Sequence, residues 1–177
     1  MRRFRTCRRG ILVGLLLMGL ASCVSAGPDG AAESHKVFVV RHAEKQAGSD
    51  PQLTALGQAR AEALADLLVD QNIEAIWSSD TTRTRNTAQP LADRLGLVVM
   101  TYDPFDLDAL AALLKSQRHN ALVVGHSNTI AETVTALGAD AGAPVGDDEF
   151  DRLYTVEITP DAAVAAIAQY GPEAGLR

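Results

Sequence analysis

Cysteine is scarce in this chain: two in 177 residues, at positions 7 and 23. Nothing beyond residue 23 can join a disulfide with a second body cysteine, so a disulfide framework is excluded and the fold must rest on its core. Long apolar runs are missing too. The stretch ILVGLLLMGL, residues 11–20, falls well short of the roughly 20 residues a membrane helix needs. Histidine occurs four times, scattered and without a cysteine ligand nearby, which gives no metal signature. Positive charge is also scarce where it counts. Residues 1–22 hold five of the 16 basic residues and none of the 22 acidic ones, so the remainder carries 11 basic against 22 acidic residues, a formal −11. A domain that acidic is a poor partner for nucleic acid or anionic surfaces.

What is present begins with a sorting signal. Arg2, Arg3, Arg5, Arg8 and Arg9 precede the short apolar run, and small residues follow it, the pattern of a secretory signal peptide. Its end, Leu20-Ala21-Ser22-Cys23, resembles the bacterial lipobox. That resemblance implies cleavage after residue 22 and lipid on the Cys23 thiol; the alternative is cleavage after Ala26 and a soluble periplasmic protein. Val24 in place of the Asp associated with inner-membrane retention tilts the expectation toward the outer membrane, facing the periplasm. Residues 23–35 then read as the lipidated cysteine and a flexible tether of small polar residues. Residues 36–177 read as one domain, and the 155 residues left after residue 22 suffice for a single core.

The body alternates between two periodicities. KVFVV (36–40), IEAIWSS (73–79), LVVMTY (97–102) and ALVVGH (121–126) read as strands. Residues 54–70, 81–95, 106–118 and 129–138 read as helices. The first has Thr54 as its cap and Leu56, Ala59, Ala63, Leu64, Leu67 and Leu68 as its expected inner face. RLYTVEI and AVAAIAQY flank Thr159-Pro160-Asp161 and predict an antiparallel hairpin at a sheet edge, with an alanine-rich helix over 161–170 as the alternative. The fold class is therefore α/β: three layers, a mostly parallel central sheet flanked by helices, with antiparallel edge strands.

Ligands of such sheets bind beyond the carboxyl ends of the strands. At that edge the sequence places Arg41-His42, then Ser79 to Arg83, then the segment around Asp103 and Asp106, then His126. Arg83 falls in the first turn of a helix that Ser79 or Asp80 is expected to cap, where free N–H groups suit an anion. Two arginines, two histidines and a helix N-terminus make a site for a small, doubly charged oxyanion, and phosphate matches the guanidinium fork. Glu44 reads as a solvated loop charge, or as a group orienting the pocket's cations. Arg85 reads as surface, and His35 and His119 as exposed flanks.

VVRHAEK (39–45), SSDTTRTRNTA (78–88) and LVVGHSN (122–128) resemble, in order, the three signature blocks of the histidine phosphatase superfamily, also called phosphoglycerate mutase-like. The likeness covers roughly residues 36–159. It implies a phosphomonoester hydrolase with His42 as a nucleophile that carries a phosphohistidine. It also implies that Arg41, Arg83 and His126 bind the phosphoryl oxygens, with neither metal nor cofactor. The family commonly has Gly after the Arg-His pair, and here Ala43 stands there. Many members carry an acid that protonates the leaving oxygen; Asp103 is the candidate, with Asp106 the alternative. Without such an acid, good leaving groups such as phenols are favoured. The compact length resembles the small phosphohistidine phosphatases more than the mutases, and the expected partner is a small phosphorylated substrate.

Two other readings compete. Gly125-His126-Ser127-Asn128-Thr129 resembles the G-x-S-x-G elbow of an α/β-hydrolase, which would make Ser127 an esterase nucleophile. That family's triad histidine follows the serine, and no histidine follows His126. The same pocket could also serve a non-catalytic lipoprotein that binds phosphate or phosphorylated ligands. Oligomeric state is not readable from the chain.

Overall fold

Six strands and four helices make up residues 34–172, the part of the chain that the computed structural model describes. The expected signal peptide and lipidated Cys23 lie outside these residues. In chain order the elements are β1 (His35–Arg41), α1 (Ala55–Leu68), β2 (Ile73–Ser79), α2 (Thr82–Leu95), β3 (Val99–Tyr102), α3 (Leu107–Gln117), β4 (Asn120–Gly125), α4 (Thr129–Ala136), β5 (Arg152–Ile158) and β6 (Ala163–Gln169). The sheet order is β3-β2-β4-β1-β5-β6. The first four run parallel, while β5 pairs antiparallel with β1 and β6 with β5.

β1 shows why its sequence is almost continuously apolar. Val37 and Val39 join a core with Leu110, Leu114, Ile130 and Val134 of α3 and α4. Phe38 and Val40 point the other way, to Leu64, Leu68 and Leu91 of α1 and α2. Both faces of the strand are covered, so alternation is lost, as expected for parallel strands inside a three-layer fold. Each fully buried Val or Leu contributes about 1.5–3 kcal/mol of transfer free energy, and the two clusters stand where disulfides are missing.

The ends of the elements follow local chemistry. Thr54 accepts a hydrogen bond from the Gly57 N–H at 3.0 Å and caps α1. Asp106 does the same for α3 through Ala109 N–H at 3.1 Å. α2 stops at Gly96, whose φ of 66° is left-handed. The 161–170 segment is a strand, not a helix. It forms the hairpin with β5, and Thr159 closes the turn by exchanging hydrogen bonds with Ala162.

Three expectations fail. The buried face of α1 is Gly57, Arg60, Ala61, Leu64, Ala65 and Leu68, so the helix is rotated from the predicted face and Leu56 and Leu67 are 43% and 48% exposed. Gly57 and Arg60 displace the leucines because they meet Glu44: a Cβ on Gly57 would collide with the Glu44 carbonyl oxygen, and the Arg60 guanidinium grips the Glu44 carboxylate. α2 is not capped by Ser79 or Asp80. Its first N–H group is reached by Asp50, 32 residues upstream, whose carboxylate accepts from Thr82 N at 2.8 Å and from the Thr82 hydroxyl at 2.7 Å. His35 is buried rather than exposed, because β5 covers β1 on that side, and the Nε2 of His119 is buried as well.

Candidate functional site

Three adjacent strands deliver the site. β1 and β4 pair up to Arg41 and Gly125, and one further hydrogen bond, His42 N–H to Gly125 C=O at 2.9 Å, ends the ladder. β2 lies on the other side of β4. The chain therefore leaves strand geometry at His42, and Arg41 and His42 diverge.

His42 is 3% exposed. Its Nδ1 lies 2.8 Å from the carbonyl oxygen of Ala43. A carbonyl can only accept, so Nδ1 carries the proton and Nε2 keeps its lone pair. Desolvation, followed by the positive charges of Arg41 and Arg83, lowers the pKa of His42 to about 4, against the raising effect of the Ala43 carbonyl. The imidazole is neutral at pH 7, as a nitrogen nucleophile requires. Ala43 is fully buried and its N–H donates to Thr87 Oγ1 at 2.9 Å, which fixes the loop from inside α2.

His126 faces His42 edge-on, ring centroids 5.5 Å apart. Arg83 Nη2 donates toward its Nδ1 at 3.4 Å. Because Nδ1 accepts, Nε2 carries the hydrogen and donates to Ser79 Oγ at 2.8 Å; Ser79 passes its own hydrogen to Thr84 Oγ1 at 3.1 Å. Burial and then Arg83 lower the pKa of His126 to about 4. Gly125 is required just before it, since a Cβ there would lie 2.7 Å from Thr129 Oγ1 and 2.9 Å from the Tyr102 hydroxyl. Thr129 Oγ1 in turn accepts from the His126 N–H at 2.9 Å.

The two arginines differ. Arg83, with His42 and His126, lines an open cleft of about 1820 Å³. Its Nη1 lies 3.7 Å from the Asp50 carboxylate, and its Nε is buried without a partner. Arg41 is not on the cleft wall. Its Nη1 donates to the carbonyls of Gly146, Asp147 and Glu149 at 3.0, 2.6 and 3.2 Å, and its guanidinium lies 4.2 Å from the Phe150 ring centroid. The Arg41 Nε is also buried and unpartnered. An arginine expected to grip an anion directly is here caged by the 146–150 segment, and its charge acts on His42.

The remaining candidates sort as follows. Asp103 is exposed, spends its Oδ1 on the Phe105 N–H at 2.9 Å and is not on the cleft wall; Asp106 is on that wall and caps α3. Glu44 is neither a free loop charge nor a partner of the cleft cations. It is bound to Arg60, with side chains 16% and 6% exposed. Arg85 is exposed and pairs with Asp80. Ser127 lines the cleft, but the His126 ring is engaged by Ser79 and Arg83, leaving no triad of the esterase kind around it. Among the described residues no three His, Cys, Asp or Glu side chains gather to hold a metal ion. The sequence reading missed Ser79 and Thr84 as supports of His126, Phe150 and the 146–149 carbonyls around Arg41, and Arg60. Most carry no local signal, because they act through contacts distant in sequence; Thr84 acts only through Ser79, whose own contact with His126 is distant.

Fold and site together define a three-layer α/β protein with a histidine-and-arginine cluster at the carboxyl edge of its parallel strands. Comparison with known proteins shows where the likeness lies. The model of the histidine phosphatase superfamily (branch 1) matches residues 37–106, 70 of the 177 residues. A probable phosphoglycerate mutase GpmB from Yersinia enterocolitica is 42% identical over 77 residues, 39% of this chain and 35% of the relative. The chain thus spans about a third of the length of the curated relatives it matches (35%). Among solved structures, the tungstate complex of the protein histidine phosphatase SixA aligns over 80% of this chain and 99% of its own, at TM-score 0.61 and 22% identity. A mycobacterial glucosyl-3-phosphoglycerate phosphatase aligns over 78% and 99%, at TM-score 0.61 and 17% identity. At those identities the likeness concerns the fold.

Proposed function

We propose that the protein is a metal-independent phosphomonoesterase that works through a phosphohistidine on His42. The observation that carries this reading is the state of His42. It is buried, neutral at pH 7, held in one tautomer by Ala43, and set on the wall of a cleft beside Arg83 and His126. The Nε2 lone pair attacks phosphorus and a P–N bond forms as the bond to the leaving oxygen breaks. Arg83 and His126 take the phosphoryl oxygens, and the buried charge of Arg41 adds to the field that stabilises them. A dianion in the cleft favours the imidazolium form of His126, turning its second nitrogen from acceptor to donor. Water then attacks phosphorus, the P–N electron pair returns to Nε2, and phosphate leaves. The leaving oxygen needs a proton only when it is basic. A phenolate departs without one, and Asp106, rather than Asp103, is the carboxyl on the cleft wall that could serve an alkyl ester.

The cations of the chain supply the charge that a metal would otherwise bring, so hydrolysis is expected to resist chelators. The names of the relatives agree with phosphoryl chemistry in general, and SixA and the mycobacterial enzyme with phosphatase action. As for location, residues 1–22 are read as a signal peptide and Cys23 as the lipid attachment that holds the enzyme at the periplasmic side of the outer membrane. Cys23→Ala should release the protein from the membrane fraction; a parent chain already found in the soluble periplasmic fraction would instead favour cleavage after Ala26.

The test is hydrolysis of p-nitrophenyl phosphate by the full-length chain, with and without chelator, beside His42→Ala. The expected result is chelator-resistant turnover, absent from the variant, with a phospho-enzyme that is acid-labile and base-stable. Turnover abolished by chelator would overturn the mechanism. Phosphate binding without any turnover would leave the phospho-ligand-binding reading in its place.

A further inference from the structure

The cleft has two unlike ends. Its floor is cationic in function, with His42, His126 and Arg83. Among the described residues Arg83 and Lys45 are the arginine and lysine on its wall, and both belong to the segments that follow β1 and open α2. The opposite wall is built by α3, α4 and the 142–147 segment, and there the charged groups are Asp106, Asp108, Glu132 and Asp147. Acids in the first turn of a helix are common because they complement its dipole, which accounts for Asp108 and Glu132 being tolerated. Asp147 lies beside the caged Arg41, whose charge offsets it; the lack of any Lys or Arg on the wall around Asp108 and Glu132 has no such explanation. Among the described residues neither Asp108 nor Glu132 has an ion-pair partner.

Phe105, 96% exposed, lines the same cleft. The turn that carries it is fixed. Its N–H is held by Asp103 Oδ1 at 2.9 Å, and the next residue caps α3. An aromatic face presented on a rigid turn among carboxylates attracts a cation and its attached methyl or methylene groups.

Resting on the phosphatase reading above, we propose that the natural substrate is a small phosphomonoester whose alcohol part carries an ammonium group. Its phosphate binds at His42, Arg83 and His126, and its cation binds outward between Phe105, Asp108 and Glu132. A leaving group that bears a carboxylate meets like charge on the same wall and is rejected. The reaction is simple hydrolysis: the ester gives the amino alcohol and phosphate, with water as the only co-reactant.

The experiment compares kcat/KM of the full-length chain for phosphocholine, 3-phosphoglycerate and p-nitrophenyl phosphate at fixed ionic strength. It is repeated with Asp108→Asn/Glu132→Gln. Phosphocholine is expected to exceed 3-phosphoglycerate by about tenfold or more, the effect of roughly 1.4 kcal/mol. The double variant should bring the two substrates close together while leaving p-nitrophenyl phosphate turnover within about twofold, since that aglycone is uncharged. High salt should shrink the preference in the same direction. Turnover of p-nitrophenyl phosphate with no such preference, or with a preference the double variant does not alter, would overturn this proposal and leave the phosphatase reading intact. No turnover of any ester and no phosphohistidine would overturn both.

Discussion

Glu44 sits two residues beyond His42, and its link to Arg60 should be an unusually revealing contact to break. Arg60 Nε lies 3.0 Å from both carboxylate oxygens, Nη2 lies 2.7 Å from Oε1, and Nη1 donates to the Tyr170 carbonyl at 2.8 Å. Removing one member of a buried pair costs about 3–5 kcal/mol, because the survivor keeps its charge without its partner. Arg60→Met retains the apolar stem and leaves a carboxylate that is 16% exposed and can recruit some water. The expected loss is therefore about 3 kcal/mol, the low end of that range. Replacing both members should be milder than replacing one, since no orphaned charge remains: Glu44→Met/Arg60→Met is predicted to lose less than Arg60→Met alone. Urea unfolding of the full chain reads this directly, as a shift in midpoint of more than about 1 M for the single variant at an unchanged m-value. A double variant that is less stable than either single variant, by roughly their sum, would refute the reasoning. It would mean that the pair is a pair of independent contacts rather than two charges that must be buried together.

Three further outcomes can be stated. His42 binds its proton less readily in the fold than in the unfolded chain, with a pKa of about 4 against 6.5. The unfolded state therefore takes up the proton first as pH falls, so stability is full above about pH 6.5 and is lost progressively toward pH 4. At about 1.4 kcal/mol per pH unit the group accounts for about 3 kcal/mol, and unfolding of His42→Ala should show a correspondingly flatter dependence between those values. Activity, by the same group, should survive to near pH 4 wherever the fold does, which rapid assays after acid dilution can check. Gly57→Ala should lower stability by about 2 kcal/mol or more, because backbone atoms of Glu44 occupy the space of the new Cβ; a melting temperature within a degree of the parent would contradict this. Asp50→Ala should move two properties in opposite directions. It removes the cap on Thr82 and lowers the melting temperature, yet it frees Arg83 from a competing carboxylate and should tighten inhibition by inorganic phosphate.

Much of the fold was legible because its signals are local. The four parallel strands are short apolar runs, the helices between them have caps or stops nearby, and the tail hairpin announces itself through Thr159 and Pro160. The order of strands was not legible. Nothing in ALVVGH says that β4 lies between β1 and β2, since any of these runs would pack equally well at the centre of a sheet. The face of α1 was misread for a related reason. Counting leucines assumes that a helix buries its most apolar side, but α1 buries the side on which a missing side chain at residue 57 admits the Glu44 backbone and an arginine at residue 60 can reach an acid. The cap of α2 was misread because Asp50 and Thr82 are far apart in sequence.

The site follows the same division, and the division explains its construction. Arg41, His42, Arg83 and His126 could be picked out because parallel strands bring the residues after their carboxyl ends to one edge, whatever the order of strands. What positions them could not. His42 is held in its tautomer by its neighbour's carbonyl, His126 by Ser79 from β2, Arg41 by three carbonyls from beyond residue 145, and the loop after His42 by Arg60 from α1. Each candidate site residue is thus local to the end of a strand or the start of a helix, while most of the orienting contacts come from another element. A histidine set this way loses its preferred ring orientation whenever packing loosens, even with its own sequence block intact. Short sequence blocks therefore suffice to mark the candidate residues, and the whole three-layer fold is needed to set them. Variants at Arg60 or Ser79 should reduce turnover without touching a reacting atom.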